Sequence, residues 1–214
     1  MNTIEKSIAA GTEALGQALS ADAVAKLTRL LSELGRWNRK LNLTAIRDPA
    51  GMVSGHVLDS LSLRPFLHGD RILDIGTGAG FPGLPLAVAE PDRRFMLLDS
   101  NARKVSFVKH ITADLGLTNV GSVCVRAESF VPDQPFDTVV ARALATLGRF
   151  VELSAHLAAE NGVLLAPKGK YPAEELEELK KQPVDWDFRV TELQVPGLPL
   201  HSRHVVRLTR PCTA

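Results

Sequence analysis

The chain has 214 residues, of which 45% are hydrophobic and 23% are charged. This balance is typical of a folded protein and excludes an extensively disordered chain. Its two cysteines, Cys124 and Cys212, cannot build a disulfide framework, and Cys124 is expected to be a small core residue. The longest run without a charged residue, 75–89, is too short to span a bilayer. We therefore expect a cytoplasmic protein.

The net charge of +1 says little about partners, but the basic residues are clustered. Segments 36–47, 93–109 and 201–210 are rich in Arg and Lys and poor in acids. A near-neutral protein can still present one positive face to nucleic acid, although each cluster could equally be a solvated face. The candidate phosphate contacts in these clusters are Arg36, Arg39, Lys40, Arg103, Lys104, Lys109 and Arg203.

The first 65 residues are predicted to be helical. Apolar residues recur at three- and four-residue steps from Ser20 to Leu41, which predicts an amphipathic helix with Ser20 as its N-cap. A second helix is predicted from Pro49 to Leu63, because Asp48 can cap it and proline suits the first helical position. We interpret residues 1–65 as an N-terminal helical cap.

From residue 71 onward, short apolar runs alternate with helical stretches, which predicts βαβ units in a mostly parallel, doubly wound α/β sheet. The last two runs are joined by Pro-Gly-Leu-Pro at 196–199 and predict a terminal antiparallel hairpin. By analogy, this pattern is that of a Rossmann-like class I methyltransferase domain, at residues 66–214, forming one compact unit with the cap. The predicted strands are 72–75, 95–98, 120–125, 138–141, 163–166, 189–195 and 205–208, and the predicted helices between them are 84–89, 102–115, 147–158 and 173–181.

The first predicted strand ends in a glycine-rich loop, which reads DIGTGAGFPG from Asp74. Glycines let the chain turn sharply and let a ligand approach the backbone at the carboxyl end of the strand. Gly78, Gly80 and Gly83 match the GxGxxG fingerprint of a dinucleotide site. Gly76, Gly78 and Gly80, preceded by Asp74, match instead the acid-x-GxGxG pattern of an S-adenosylmethionine site.

Asp74 favours the second ligand over a dinucleotide or a purely structural turn. A carboxylate at this turn would repel a pyrophosphate, whereas it stabilises an ammonium and a sulfonium, and the dinucleotide register leaves Gly76 unexplained. Asp99 ends the second predicted strand and can accept both ribose hydroxyls, although it could equally cap the next helix. Ala127 and Glu128 follow the third strand, where we expect the adenine ring.

Together these residues resemble the bacterial RsmG family, also called glucose-inhibited division protein B. The matching segments are WN at 37–38, NLTAI at 42–46, HVLDSL at 56–61, the glycine loop with LPLA at 84–87, LLDS at 97–100, AE at 127–128, RA at 142–143, KG at 168–169 and RH at 203–204. The resemblance implies a class I S-adenosylmethionine-dependent methyltransferase that acts on N7 of guanine 527 in 16S ribosomal RNA. It implies cofactor contacts at Gly76, Phe81, Ala127, Glu128 and Arg142, and Lys168 joins the candidate RNA contacts.

The residues after the fourth predicted strand bear on the acceptor atom. The chain has Ala-Arg-Ala at 141–143, and lacks there the Asn/Asp-Pro-Pro-aromatic motif common in exocyclic-amine methyltransferases. Guanine N7 carries a lone pair and no proton, so its methylation needs proximity and no general base. The candidate catalytic residues are Arg142, His56 and Asn42, the last from the resemblance alone. His56 and Asp59 share a helix face. This pair could orient a loop over the pocket or form a local hydrogen bond that packs the helix onto the domain, and we favour the second interpretation.

Three other functions stay open at this point. One is an NAD(P)-dependent oxidoreductase on the same topology, and another is a non-catalytic RNA-binding protein. The third is methylation of a small molecule, which the three basic clusters disfavour. No cluster of His, Asp and Glu has metal-ligand spacing, so we expect no metal. The expected cofactor is S-adenosylmethionine, and the expected partner is 16S ribosomal RNA or the small ribosomal subunit. We expect no membrane contact and a monomer.

Overall fold

The computed structural model describes residues 3–142, 146–181 and 186–211. Its seven-stranded sheet has the order β3-β2-β1-β4-β5-β7-β6, for strands β1 Arg71–Ile75, β2 Arg94–Asp99, β3 Val120–Cys124, β4 Phe136–Val140, β5 Ala158–Lys168, β6 Asp187–Glu192 and β7 His204–Thr209. All neighbours are parallel except β7, which is antiparallel to both β5 and β6. The predicted parallel sheet with a terminal antiparallel hairpin is confirmed.

The helices are α1 Thr3–Ala14, α2 Ala21–Leu41, α3 Pro49–Met52, α4 Asp59–Leu61, α5 Gly83–Ala89, α6 Ala102–Asp114, α7 Leu147–Ser154 and α8 Ala173–Lys181. A π-helical turn, Val53–Leu58, joins α3 to α4, so the predicted second helix is one helical segment with a widened middle. Both predicted N-caps are confirmed, because Ser20 accepts from the Ala23 N–H at 3.2 Å and Asp48 accepts from the Gly51 N–H at 2.6 Å.

Two predictions are wrong: the end of one helix and the burial of Cys124. The helix predicted over 147–158 ends at Ser154, because Leu157 and Ala158 already pair with Phe136 of β4. Cys124 is exposed and does not belong to the core. It is the last residue of β3, and β3 is the edge strand of the sheet, so one side of it has no neighbouring strand to cover it.

Strand side chains alternate between two faces of the sheet, as the period of two requires. On β1, Ile72 belongs to a hydrophobic cluster that also contains residues of α1, α2, α5 and α6, whereas Leu73 belongs to a second cluster with residues of α7 and α8. By the same alternation, Asp74 and Asp99 belong to the face that carries the first of these clusters. The helices of the cap therefore share a hydrophobic cluster with that face, while the domain boundary near residue 66 stays a prediction. No helix among the described residues is long and apolar enough to cross a bilayer.

Candidate active site

The loop between β1 and α5 turns on three glycines with left-handed backbones. Gly76, Gly78 and Gly80 have φ values of 66°, 62° and 87°, which side chains with a Cβ rarely adopt. A Cβ on Gly80 would lie 2.1 Å from Leu84, so this glycine is needed for packing of the loop on α5. A Cβ on Gly78 would have no neighbour closer than 3.9 Å. Gly78 therefore leaves open space beside the loop.

A cavity of about 370 Å³ lies at the carboxyl ends of β1 to β4. Ligands of open α/β sheets bind at this edge. Its lining includes five of the nine residues predicted to bind the cofactor, namely Gly76, Asp99, Ala127, Glu128 and Arg142. The other four, Asp74, Gly78, Gly80 and Phe81, belong to β1 and the adjoining loop and are not part of this lining. The sheet thus brings residues from four strand ends around one space.

Asp99 stands at the end of β2 with both carboxylate oxygens held by backbone. Its Oδ2 accepts from the Gly78 N–H at 2.9 Å and its Oδ1 from the Asn101 N–H at 2.8 Å. Asn101, and not Asp99, caps α6 by accepting from the N–H of Arg103 and Lys104. Since a carboxylate oxygen can accept two hydrogen bonds, each oxygen of Asp99 can still accept one from a ligand hydroxyl. This geometry suits a ribose.

Asp74 is a buried carboxylate that is only half satisfied. Its Oδ2 accepts from the Thr77 hydroxyl at 2.6 Å and from the Gly83 N–H at 2.8 Å. Its Oδ1 has no hydrogen-bond partner among the described residues, and the residue is 1% exposed. Burial raises the pKa of Asp74 to about 7. A buried oxygen without a partner fits a cationic group such as the ammonium of S-adenosylmethionine.

Glu128 lines the cavity, but its carboxylate already has a partner. Oε1 accepts from Nη2 of Arg149 at 2.8 Å, and the side chain is 49% exposed. Ala127 is buried at the start of a 3₁₀ turn, Ala127–Ser129. A ligand that used the Glu128 side chain would compete with Arg149, so we expect this carboxylate to contribute less than Asp99.

Arg142 connects the cavity to the helical segment through a bridge. Its Nη1 donates to the Gly55 carbonyl and to Asp59 Oδ2, both at 3.1 Å. Asp59 Oδ1 accepts from Nε of Arg203 at 2.7 Å. We call Arg142, Asp59 and Arg203 the arginine bridge. Asp59 is buried between two guanidinium groups, so the interpretation of a local His56–Asp59 contact is wrong, because each of them faces Arg142 instead.

His56 is buried beside the bridge. Its ring stacks on Phe81 with 4.5 Å between centroids, and its Nε2 lies 2.8 Å from the Thr44 hydroxyl. Arg142 Nη2 lies 3.5 Å from its Nδ1. Burial, and then the charge of Arg142, lower the pKa of His56 to about 4. The imidazole is therefore neutral near pH 7 and is occupied at both nitrogens, which suits a positioning role and not that of a general base.

Sequence reasoning missed the residues that hold His56 in place. Asn38 donates to the Thr44 carbonyl and accepts from the Thr44 N–H, both at 2.9 Å. The only sequence signal for this contact is that both residues lie in motifs of the resemblance. Asn42 ends α2 in the left-handed conformation that Asn tolerates, and its Oδ1 lies 3.5 Å from Arg47. It is not part of the cavity lining, so its catalytic role stays a prediction.

The two basic clusters on helices are neighbours in space. Trp37 of α2 packs against Phe107 and His110 of α6, with centroid distances of 5.5 and 5.0 Å. Lys104 lies in the cavity lining, 3.8 Å from Asp99. We call the basic residues of these two helices the α2–α6 face: Arg36, Arg39, Lys40, Arg103, Lys104 and Lys109. Apart from Lys104 they are exposed, and Arg36 also pairs with Glu33 at 2.6 Å.

The other two candidate RNA contacts are engaged within the protein. Lys168 pairs with Glu175 at 2.7 Å, and Arg203 belongs to the arginine bridge. Both side chains are less than 30% exposed. A phosphate would have to compete with a buried or half-buried carboxylate for either one. We therefore assign them first to holding the strand ends together.

Comparison with known proteins identifies the family. The profile of the GidB family, described as rRNA small subunit methyltransferase G, matches residues 23–206. The ribosomal RNA small subunit methyltransferase G of Laribacter hongkongensis is 46% identical over 206 residues, covering 96% of this chain and 98% of the relative. That of Idiomarina loihiensis is 42% identical over 195 residues, covering 90% of this chain and 92% of the relative.

Solved structures agree on the fold. A putative O-methyltransferase from Klebsiella pneumoniae covers 98% of this chain and all of its own, with a TM-score of 0.64 and 14% identity. A magnesium protoporphyrin IX methyltransferase from Synechocystis with bound S-adenosylmethionine covers 91% of this chain and 99% of its own, with a TM-score of 0.61 and 13% identity. The fold is therefore that of class I methyltransferases, and the chain belongs to the rRNA small subunit methyltransferase G family.

Proposed function

We propose that this protein transfers the methyl group of S-adenosylmethionine to N7 of guanine 527 in 16S ribosomal RNA. The observation that carries the proposal is the cavity at the ends of β1 to β4, in a chain of an rRNA methyltransferase family. The names of the relatives point to ribosomal RNA of the small subunit. The target atom follows from the resemblance and from the chemistry of guanine N7, which carries a lone pair and no proton. The protein would act in the cytoplasm as a monomer.

The positions of Asp99, Ala127, Asp74 and Arg142 suggest how the bound cofactor would be oriented along the edge of the sheet. Asp99 would hold the ribose and Ala127 would lie beside the adenine, so the adenosine half covers the ends of β2 and β3. The Asp74 carboxylate would attract the ammonium across the β1 loop. Arg142, at the end of β4, would then border the sulfonium and its methyl group. We therefore place the acceptor base on the β4 and β5 side of the cavity.

S-adenosylmethionine supplies an electrophilic methyl group when it is bound. The protein then has to align guanine N7, the methyl carbon and the sulfur, with N7 and the carbon about 3 Å apart. Since N7 carries no proton, no residue has to accept one. His56 fits this chemistry because it is neutral, buried and occupied at both ring nitrogens. Arg142 would border the methyl group, held there by Asp59 and the Gly55 carbonyl.

The α2–α6 face is the surface that we propose for the RNA backbone. It carries six basic residues, and through Lys104 it reaches the mouth of the cavity. Phosphate contacts of this kind position a nucleic acid without reading its sequence. Arg39 and Lys40 on one helix, and Arg103 and Lys109 on the other, are the exposed members best placed to bind phosphates.

The alternative functions receive less support, and the family description, which names ribosomal RNA, disfavours methylation of a small molecule. An oxidoreductase would place a pyrophosphate at the glycine loop, where the buried Asp74 opposes a negative charge. A non-catalytic RNA-binding protein has no need for a cavity formed by Gly76, Asp99 and Arg142. The family also consists of proteins that are named methyltransferases.

The decisive experiment maps methylation in ribosomal RNA. Mass spectrometry of 16S ribosomal RNA from cells with and without the protein should show one N7-methylguanine that depends on it, at position 527. Purified protein with S-adenosylmethionine should restore the modification on RNA or subunits from the deficient cells. A Gly78→Val variant is the matched control, because its side chain would fill the space beside the loop. A methyl group at another atom or position would refute the assignment of the target.

A further inference from the structure

Tyr171 is an exposed aromatic residue just beyond β5, with 58% of the residue accessible. β5 neighbours β4, and the Ala141 N–H donates to the Leu165 carbonyl at 3.2 Å. Arg142 and Lys168 therefore continue adjacent strands toward the same edge of the sheet. Tyr171 follows three residues after Lys168, on the side where the proposed acceptor base lies. The methyl transfer proposed for this protein gives Tyr171 no role.

The surroundings of Tyr171 restrict its position. Pro172 confines the preceding residue to extended backbone, and the Tyr171 carbonyl accepts from the Ala173 N–H at 3.1 Å. Its ring meets the ring of His204 edge to face, with 5.8 Å between centroids. His204 is buried, and its Nδ1 has no hydrogen-bond partner among the described residues. Tyr171 is thus a surface ring with a restrained backbone and a buried support.

The loop that carries Tyr171 is also anchored at both ends. Lys168 donates to Oε2 of Glu175, and the same oxygen accepts from the Leu147 N–H, both at 2.7 Å. Residues 168–175 line an open cavity of about 350 Å³. A Cβ on Gly169 would meet no atom within 4 Å, so the loop leaves space on this side. A planar ligand can therefore approach the ring of Tyr171.

Methylation of N7 moves a positive charge into the base. The N7 lone pair forms a bond to the methyl carbon, and the carbon–sulfur bond breaks with its electron pair going to sulfur. The charge that began on the sulfonium ends on the purine, and no proton moves. Since the N7 lone pair lies in the plane of the base, the faces of the base stay free for stacking. An aromatic face attracts a cation, so a stacked ring stabilises the transition state more than the neutral guanine.

We propose that Tyr171 stacks on the target guanine and stabilises the positive charge that develops there. The proposal rests on the proposed function, because it assumes methyl transfer to a purine nitrogen. It makes Tyr171 a substrate-contacting residue that acts on the rate of the chemical step as well as on binding. The aromatic face matters for this role, and the hydroxyl does not.

The test replaces Tyr171 by Leu, Phe and Trp and measures single-turnover methyl transfer at saturating ribosomal RNA and cofactor. We expect Tyr171→Leu to slow transfer about tenfold, and Tyr171→Phe and Tyr171→Trp to stay within about threefold of the wild type. Calorimetric affinity for S-adenosylmethionine should be the same in all variants, which also shows that they fold. Val131→Ala, a truncation at another exposed apolar residue, should leave the rate unchanged.

The outcomes separate this proposal from the proposed function. If the wild type transfers no methyl group to guanine N7, the proposed function fails before any variant is compared. If the wild type does so and Tyr171→Leu is equally fast at saturating RNA, the proposal about Tyr171 is overturned. The proposal is also overturned if Tyr171→Leu weakens RNA binding but leaves the rate of transfer at saturating RNA unchanged, because the ring would then not stabilise the charge in the transition state. Slow transfer by all three variants would refute the stacking role as well.

Discussion

The two halves of the sheet's carboxyl edge are built in different ways. The half for which we propose cofactor binding, called the cofactor half, consists of the β1 loop and Asp99, which are close in sequence and joined by the Gly78–Asp99 hydrogen bond. The other half is the arginine bridge, in which Asp59 contacts residues 83 and 144 positions away. A short motif therefore specifies one half, and the folding of the whole chain assembles the other.

The two halves also treat a buried carboxylate differently. Asp59 lies between the guanidinium groups of Arg142 and Arg203, so its charge is neutralised within the protein. Asp74 has no hydrogen-bonded cation among the described residues, and one of its oxygens is unpartnered. The bridge thus pairs its buried carboxylate with two cations, whereas one oxygen of Asp74 lacks a hydrogen-bond partner among the described residues, which supports our proposal that a cationic ligand binds there. Each of the following experiments tests this difference.

The largest effect is expected for Asp59→Ala, which leaves two half-buried arginines facing each other. Removing one partner of a buried ion pair costs about 3–5 kcal/mol, and we expect about 3 kcal/mol because the arginines are partly exposed. The free energy of unfolding in urea measures this loss. Asp114→Ala is the control, since its pair with Arg29 is exposed and should cost less than about 1 kcal/mol. Equal losses would mean that the bridge does not stabilise the fold.

The second prediction concerns pH and the buried groups Asp74 and His56. The folded pKa of Asp74 is raised from 3.8 to about 7, so its contribution to stability is present below pH 4 and is lost as the pH rises to 7. The folded pKa of His56 is lowered from 6.5 to about 4, so its contribution is present above pH 6.5 and is lost as the pH falls. Between pH 4 and 6.5, Asp74 therefore makes the free energy of unfolding fall as the pH rises, whereas His56 makes it rise.

Single variants should reveal each slope. In Asp74→Asn, stability relative to the wild type should rise with pH by about 1 kcal/mol per unit across this window. In His56→Gln it should fall with pH by a similar amount. Urea unfolding at pH 4.5, 5.5 and 6.5 measures both, and the common background of other carboxylates cancels in the differences. If the free energy of unfolding changes with pH in both variants as it does in the wild type, Asp74 and His56 are not buried in the way described.

Much of the fold follows from local patterns. Apolar alternation after residue 71 marks the strands, and side chains such as Ser20 and Asp48 mark the helix starts because a cap depends on three or four neighbouring residues. Ends are less certain where an apolar run suits both element types, as at Leu157, which the sequence places in a helix. The exposure of Cys124 depends on the order of the strands, which a single strand's sequence does not contain.

The site residues also differ in whether local sequence or long-range contacts bring them together. Sequence reasoning predicts that Gly76, Asp99 and Arg142 lie at one edge of the sheet, and these residues do line one cavity, although their roles stay predictions. It misses the role of Asp59, because nothing near this residue in the sequence indicates that two distant arginines reach it. It also assigns Arg203 to RNA, whereas this side chain completes the bridge. Long-range ion pairs are properties of the folded chain.

The third prediction weighs two acids of the cofactor half. Asp99→Ala removes a charged acceptor for the ribose, and a hydrogen bond to a charged group is worth about 1.5–3 kcal/mol, so affinity for S-adenosylmethionine should fall at least tenfold. Glu128→Ala should reduce affinity only a few-fold, because its carboxylate is exposed and paired with Arg149. Isothermal titration calorimetry measures both. A larger loss of affinity in Glu128→Ala than in Asp99→Ala would mean that the ribose binds at the end of β3 and not at Asp99.

The smallest effect is expected for the pH dependence of the chemical step. Single-turnover transfer at saturating cofactor should vary less than about twofold between about pH 6.5 and 8.5, because N7 needs no base and His56, with a pKa lowered to about 4, stays neutral throughout. Asp74, with a pKa raised to about 7, titrates in this range, but its proposed role is in cofactor binding, which saturation keeps constant. His56→Gln should reduce the rate modestly, since the ring packs on Phe81 and faces Arg142, and should keep the profile flat. A rate that rises tenfold per pH unit and flattens near pH 7, and that loses this shape in His56→Gln, would show that His56 accepts a proton. The acceptor would then carry a proton, which guanine N7 does not, and both the target atom and the positioning role of His56 would be wrong.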